Sequence, residues 1–211
     1  MKSYLYIILA IILLISSQAI SQRVEVALMT GYQMGGMLDE TTQQEGVFTP
    51  GDALGLTGSG NFGVLLDIRL ARKVFLELSL DRQPTNLNYH EAASGDIIRN
   101  IKINVDYYQA GLIYDWSSSH LRPFFGVSLG MVHMAPEENL ESETRFNISP
   151  FMFGVKTYAS KYFAFRLHGK ILISDTPEKV YFKDTAGNGF EHAKSTFMAQ
   201  LQFGVGIVVA L

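Results

Sequence analysis

Residues 163–174 read FAFRLHGKILIS, and this stretch alternates strictly between two kinds of side chain. The odd positions are apolar or glycine: Phe163, Phe165, Leu167, Gly169, Ile171 and Ile173. The even positions include three basic residues, Arg166, His168 and Lys170. Because successive side chains of a β-strand point to opposite faces, this alternation predicts a strand with one apolar face and one basic face.

Seven further segments alternate in the same way, which predicts eight strands in total: 23–32, 61–70, 74–81, 101–114, 125–131, 151–156 and 197–211. Within the fourth segment the phase of the alternation slips near Tyr107, which suggests a β-bulge. Short turns follow strands two, four and six, whereas longer polar segments follow the other strands, at 35–57, 84–98, 134–145 and 175–193. Short turns at one rim, long connections at the other and an even strand count are typical of an up-and-down outer-membrane barrel.

A soluble lipocalin-type barrel would show the same alternation, with its apolar face turned inward. The second face decides between the two barrels, because it mixes glycines with charged residues: Gly63, Gly126, Gly130, Gly154, Gly204 and Gly206 with Asp67, Arg69, Glu77, Arg166 and Lys170. Glycine weakens a water-exposed strand, whereas in a narrow interior small residues leave room for long charged ones. We therefore predict an all-β fold, an eight-stranded antiparallel transmembrane barrel with its apolar face toward lipid.

Aromatic residues cluster beside the short turns: Tyr114, Trp116, Phe124, Phe125, Tyr158, Tyr162 and Phe163. Aromatic side chains favour the headgroup level of a membrane, so this cluster predicts one aromatic girdle at the short-turn rim. Core aromatic residues of an ordinary fold would not need to gather at one rim. The cluster therefore supports the membrane barrel.

The first residues predict a cleaved secretory signal peptide. Lys2 precedes an apolar run that ends at Ile15, and Ala19 and Ser21 form a small-x-small cleavage pattern. A transmembrane anchor is the alternative, but the apolar run is shorter than the roughly 20 residues that a spanning helix needs. We expect a signal peptide over 1–21 and one barrel domain over 22–211.

Composition excludes several classes of function. The chain has 17 Lys and Arg against 20 Asp and Glu, with no basic patch or stripe, which argues against nucleic acid as a partner. Cysteine is absent, so disulfides and thiolate metal sites are excluded. No two histidines stand at ligand spacing on one strand face, and we expect neither a metal site nor a cofactor.

Three segments carry a resemblance to a known family: DYYQAGLIYDW (106–116), RPFFGVSLGMV (122–132) and FMAQLQFGVGIVVAL (197–211). With them the whole mature chain resembles the small eight-stranded outer-membrane β-barrel proteins of Gram-negative bacteria, the OmpA/OmpX/OmpW-like superfamily. The resemblance implies residence in the cell outer membrane, among its lipid and lipopolysaccharide. It also implies that the barrel-assembly machinery reads the last strand, through outward residues such as Phe203, Val209 and Leu211. Leu211 departs from the phenylalanine or tryptophan that is usual at the end of this signal.

The members of this family differ in function, so the fold alone does not choose one. His168, between Arg166 and Lys170, is the nearest approach to a catalytic group, but no carboxylate is placed to orient its ring. The His-Ser pair of the outer-membrane lipid A deacylases is also missing, so we do not expect an enzyme. Eight strands leave an interior just wide enough for side chains to fill. We therefore expect a plugged barrel with a structural or surface-interaction role, and a narrow channel for ions or small hydrophobic solutes is the alternative.

The plug itself can be predicted from heights along the strands. Glu77 and Arg166 lie equally far from the short-turn rim on strands three and seven, which stand opposite one another in such a barrel. Asp81 and Lys170 lie four residues further along the same strands. Because isolated charges would be costly inside a barrel, we expect ion pairs Glu77–Arg166 and Asp81–Lys170. The predicted polar plug comprises these groups and their inward polar neighbours: Glu77, Asp81, Arg166, His168, Lys170, Gln200 and Gln202.

Overall fold

The computed structural model describes residues 23–38, 53–90, 97–117, 119–137, 142–176, 180–183, 189–192 and 196–211. The predicted signal peptide, 1–21, lies outside these ranges. The strands are β1 (Val24–Met34), β2 (Met37–Leu38), β3 (Ala53–Leu56), β4 (Ser59–Ala71), β5 (Val74–His90), β6 (Ile97–Asp115), β7 (Leu121–Pro136), β8 (Glu143–Tyr158), β9 (Phe163–Thr176), β10 (Val180–Lys183), β11 (Gly189–His192) and β12 (Thr196–Ala210). The described part of the chain contains no helix that is long and apolar enough to cross a membrane.

Eight of these strands close into an antiparallel barrel. Around the ring the order is β5, β4, β1, β12, β9, β8, β7 and β6, and β6 pairs back to β5. The first strand thus meets the last, with Val26 opposite Val209. This arrangement confirms the predicted up-and-down barrel, and it places β9 opposite β5, β8 opposite β4, and β12 opposite β6.

The remaining short strands lie at the end of the barrel away from the short turns. There β3 pairs with β5 beyond the start of β4, and β10 pairs with β11 as a separate two-stranded sheet. One of the polar segments predicted as a connection, 84–98, is strand over all of its described residues, since β5 runs to His90 and β6 begins at Ile97. The prediction of a long loop there was wrong, because polar side chains on the outer face do not interrupt a strand. In the segment 134–145 the strands extend to Pro136 and resume at Glu143.

The outer face of the barrel carries the predicted apolar band. Leu78, Leu129 and Phe203, near the middle of their strands, are 39%, 58% and 49% exposed. Neighbouring strands add many more exposed apolar side chains, among them Leu28, Phe62, Leu112, Phe153, Phe165, Leu167, Val205 and Ile207. An apolar surface of this extent is far larger than a soluble monomer exposes to water.

The aromatic girdle is real but smaller than the sequence predicted. Trp116, Phe125, Tyr162 and Phe163 are exposed at the short-turn rim, and the ring of Tyr114 lies 5.3 Å from that of Phe125. Two of the predicted girdle residues, by contrast, point into the barrel and are buried, Phe124 and Tyr158. Each of these two stands one position from an outward residue, and strand parity turns it inward.

The predicted β-bulge near Tyr107 does not exist. The pairing of β6 with both neighbours is unbroken through this residue, and Tyr107 points inward with Ile101, Ile103 and Val105. The sequence pattern changes phase here for another reason. In the half of β6 that precedes Tyr108, the inner face is apolar and the outer face is polar. In the half near the short turns the outer face is apolar. Register shifts occur instead within β7–β8 and β8–β9, between Gly126 and Ser128 and between Ile148 and Phe151.

Candidate functional site

The barrel interior holds most of the buried charge of the described residues. Near the short-turn rim, the ammonium of Lys156 on β8 lies 2.7 Å from Asp67 Oδ2 and 3.0 Å from Glu25 Oε2. The hydroxyl of Tyr158 donates a 2.6 Å hydrogen bond to Glu25 Oε1. Lys156 has no exposed surface, so its charge is compensated by these two carboxylates rather than by bulk water.

The charge pattern that the sequence predicted lies on the two opposed strands β5 and β9, where Glu77 is the register partner of Asp67 and Arg166 is the register partner of Lys156. Arg166 forms an ion pair with Glu77 and places its Nη1 atom 3.1 Å from Asp67 Oδ2. Lys170 Nζ lies 3.4 Å from Glu77 Oε1 and 3.9 Å from Asp81 Oδ2. Both expected pairs are therefore present, and Asp67 joins this group to Lys156. We call these groups the charged layer: Glu25, Asp67, Glu77, Asp81, Lys156, Arg166 and Lys170.

The two glutamines predicted for the plug separate to different partners. Gln202 Nε2 donates to Asp81 Oδ1 at 3.3 Å and belongs to the charged layer's edge. Gln200 instead accepts hydrogen bonds from the Tyr107 hydroxyl and, at 3.0 Å, from Gln33 Nε2. Gln33 Nε2 also lies 2.9 Å from the Tyr107 hydroxyl oxygen. These three side chains form a neutral bridge, which lies further from the short-turn rim than the charged layer.

The contacts of both layers cross the whole barrel. Arg166–Glu77 joins β9 to β5, Lys156–Asp67 joins β8 to β4, and Tyr107–Gln200 joins β6 to β12. Each of these strand pairs stands four positions apart in the ring of eight, which is the largest separation possible. Side chains that meet across the full diameter occupy the cross-section at that height.

Further from the short turns than the bridge, the interior combines an apolar cluster with buried polar side chains such as Arg145, Asn147 and Ser174. The apolar cluster consists of side chains that are at most 5% exposed, and we call it the apolar cap: Leu56, Leu87, Ile101, Ile103, Val105, Tyr107, Val132, Met134, Leu172 and Met198. Outside the same stretch of wall lie polar groups, including the ion pair of Arg82 with Asp106 at 2.6 Å. Here β5 and β6 therefore have an apolar inner face and a polar outer face, whereas β8 and β12 still expose apolar side chains, Phe146 and Phe197.

His168 lies inside the barrel and is 2% exposed. Among the described residues, neither of its ring nitrogens has a hydrogen-bond partner. The ring packs over Gly204, where an added Cβ atom would come within 2.8 Å of Nε2. The arrangement lacks the oriented base and adjacent nucleophile of a catalytic triad. In the described part of the chain, no group of three His, Asp or Glu side chains could hold a metal ion.

Several interior residues were missing from the predicted plug, namely Glu25, Asp67, Lys156, Gln33 and Tyr107. Strand parity had already placed Asp67 on the inward face, and the same parity marks Glu25 and Lys156 as inward. Tyr107 and Gln33 could not be found this way. The first was assigned to a bulge, and the second lies just beyond the alternation that marked β1.

The fold can be compared with solved structures. The crystal structure of Neisserial surface protein A is similar with a TM-score of 0.53 at 10% sequence identity, over 87% of this chain and 96% of that one. The outer membrane protein OprG from Pseudomonas aeruginosa is similar with a TM-score of 0.59 at 12% identity, over 89% of this chain and 95% of that one. No family model matches the sequence, and no curated protein matches it. At these identities the likeness establishes the eight-stranded fold.

Proposed function

We propose that this chain, which has the fold of the small outer-membrane β-barrels, resides in a bacterial outer membrane as a closed barrel with a structural or surface-interaction role. The apolar outer band supports the membrane residence, because lipid is the environment in which such a band is stable. The polar outer wall beyond the band, around Arg82 and Asp106, suits the aqueous side of the same membrane.

The observation that carries the closed state is the set of contacts across the barrel diameter. Arg166–Glu77 and Lys156–Asp67 cross the interior in the charged layer, and Tyr107–Gln200 crosses it further from the short turns, where the apolar cap begins. Steady ion flow needs a continuous aqueous path, and this packing opposes one. The closed barrel is therefore favoured over a narrow channel for ions or small hydrophobic solutes.

A non-enzymatic role is part of the proposal. His168 is buried between two basic residues, and its ring nitrogens meet no carboxylate or hydroxyl among the described side chains. A general base needs a substrate proton within hydrogen-bond reach, and this ring is enclosed by the barrel wall.

The last strand is proposed to carry the assembly signal. On β12 the residues Phe203 and Val209 point outward, and Leu211 beyond its end is 77% exposed. The outer face of this strand thus offers a continuous apolar row to the barrel-assembly machinery during insertion. Lipid and lipopolysaccharide are the proposed partners of the band afterwards.

Conductance across a planar bilayer tests the closed state. Refolded full-length mature protein is expected to insert without producing steady openings, and insertion is verified by heat-modifiable migration and protease protection in vesicles of the same lipid. Steady openings by inserted protein would contradict the plug and favour the channel. Failure to insert into any lipid would contradict the membrane residence itself.

A further inference from the structure

The exposed charges at the short-turn rim of the barrel all have the same sign. Six cationic side chains there are partly or fully exposed, and we call them the basic rim: Arg23, Arg69, Arg72, Lys73, Arg122 and Lys161. The described acidic residues at the same end are buried at 1–2% exposure, namely Glu25, Asp67 and Asp115. The carboxylates are therefore withdrawn into the barrel, whereas Arg72, Lys73 and Lys161 lie on the short turns. Arg23, Arg69 and Arg122 lie at the mouth of the barrel, stacked on the rings of Tyr158 and Phe75.

Most of the basic rim is not neutralised by the described residues. Arg23 forms an ion pair with Glu25 at 2.9 Å. Among the described groups, no carboxylate lies within ion-pair distance of the other five, and the contacts of Arg69, Lys73, Arg122 and Lys161 are with neutral groups. Lys73 Nζ donates to the Trp116 carbonyl at 3.1 Å, and Lys161 Nζ lies 4.6 Å from the centre of the Tyr162 ring. Aromatic rings and carbonyls orient a cation without cancelling its charge.

The opposite end of the described barrel has mixed charge. There Arg82 pairs with Asp106 and Arg145 pairs with Glu143. Exposed Lys102 is accompanied by the exposed acids Glu137 and Asp175. The excess of positive charge is thus a property of the short-turn rim and not of the chain, which is acidic overall with a net charge of −3.

We propose that the basic rim binds the headgroups of anionic phospholipids in the leaflet on the short-turn side. The proposal rests on the membrane residence proposed above. The cations stand at the level of Trp116, Tyr162 and Phe163, the girdle residues that prefer the headgroup region. At that depth a lipid phosphate is the anion within reach, and lysine or arginine binds it with charge-assisted hydrogen bonds. Each lysine or arginine near an anionic membrane surface strengthens binding to that surface by about fivefold.

The chain contains its own probe for this test. Trp116 is the only tryptophan, is 67% exposed, and lies beside Lys73. The mature protein is refolded into phosphatidylcholine vesicles that contain a minor fraction of phosphatidylglycerol. Two vesicle preparations are compared. In the first the phosphatidylglycerol is brominated near the carboxyl end of its acyl chains, and in the second an equal amount of the phosphatidylcholine is brominated at the same place. Quenching of Trp116 then reports which lipid is concentrated beside this rim.

We expect brominated phosphatidylglycerol to quench Trp116 at least twice as strongly as the same fraction of brominated phosphatidylcholine, with the difference shrinking as salt is added. The triple variant Arg72→Gln/Lys73→Gln/Lys161→Gln is expected to lose the preference, whereas Lys102→Gln at the other end keeps it. Equal quenching by the two lipids in the inserted wild-type protein would overturn the proposal. If the protein were then retained on peptidoglycan in a salt-sensitive way, the basic rim would be assigned to peptidoglycan instead. Loss of the preference in Lys102→Gln would also overturn it. A protein that inserts into neither vesicle would contradict the membrane residence instead.

Discussion

Arg166 on β9 and Glu77 on β5 form an ion pair across the full diameter of the barrel. Both side chains are almost completely buried, at 2% and 1% exposure. Charges removed from water in this way are costly unless each finds a partner, and here the partners come from opposite walls. The contact therefore holds two strands that share no backbone hydrogen bond at a fixed separation.

The variant Glu77→Gln is expected to destabilise the barrel by about 3 kcal/mol, because it leaves Arg166 and Lys170 with too few carboxylates in a buried site. The free energy of unfolding in urea, followed by Trp116 fluorescence in vesicles, measures the effect. The double variant Glu77→Leu/Arg166→Leu should cost less than the sum of its single variants. Asp106→Asn, which breaks the ion pair on the outer wall, serves as the control and should lower the free energy of unfolding less. An equal loss of stability in the two variants would show that the interior pair contributes no more than an exposed one.

The corrected direction of Tyr107 gives a second prediction. Tyr107→Phe removes the hydroxyl that meets Gln200 and Gln33, and the loss of buried hydrogen bonds should cost about 1–3 kcal/mol. Its neighbour Tyr108 points outward and is 45% exposed, so Tyr108→Phe should cost much less. The same unfolding measurement compares the two. A larger effect at Tyr108 would contradict the assignment of Tyr107 to the inner face and Tyr108 to the outer face.

The apolar cap can be tested with two methionines of β7. Met134 is 1% exposed inside the cap, whereas Met131 is 53% exposed on the outer face. Met134→Ala should create a cavity and cost about 2–5 kcal/mol. Met131→Ala should be tolerated better, because lipid can fill the space that the side chain leaves. Equal costs in the urea unfolding assay would show that the cap is not packed.

Arginine at the middle of the lipid face is expected to impair folding. Leu129→Arg places a charge near the bilayer midplane, at a cost of about 2–4 kcal/mol. Gly130, its inward neighbour, is unsuitable as a control, because an added Cβ atom would collide with the carbonyl oxygen of Tyr108. Ala135→Arg on the same strand is the better control, since this outward position lies beyond the band and beside Asn104. Comparable yields of folded protein from both variants would show that the outer face has been assigned wrongly.

Protease added to intact cells tests the orientation of the barrel. We expect the polar segments 37–55 and 175–193 to lie on the outer side of the membrane and therefore to be cleaved. The short turns at 71–73, 117–122 and 159–161 should be spared until the membrane is opened. Fragment masses identify the cut sites, and cleavage confined to the short turns in intact cells would invert the proposed topology.

Much of the site followed from strand parity. In FAFRLHGKILIS the period of two is enough to separate Phe165 from Arg166, and matched heights on opposed strands were enough to pair Arg166 with Glu77. Such reasoning works because the pleat of a strand is regular and the number of strands sets which walls face each other. It also required that one face be apolar and the other polar.

That condition fails in the half of β6 that precedes Tyr108, where the sequence could not say which face is inside. Ile101, Ile103 and Val105 are apolar, as lipid-facing residues would be, yet they pack in the cap. Parity records only that residues share a face, and the solvent outside decides whether an apolar face turns inward or outward. In the proposed membrane setting the solvent outside the barrel changes along its axis from lipid to water, so an apolar face turns outward at one end and inward at the other.

The sequence by itself therefore determined the eight strands of the barrel and, except around Tyr107, which side chains of a strand share a face. The tertiary structure decided which inward groups meet, as with Lys156, whose ammonium lies between Glu25 and Asp67 from two neighbouring strands. Partner choice inside a barrel depends on how the closed ring offsets its strands along the axis, and this stagger is set by the pairing of all eight at once. A single strand carries the period of its side chains, but only the closed ring brings opposite walls within reach of one ammonium group.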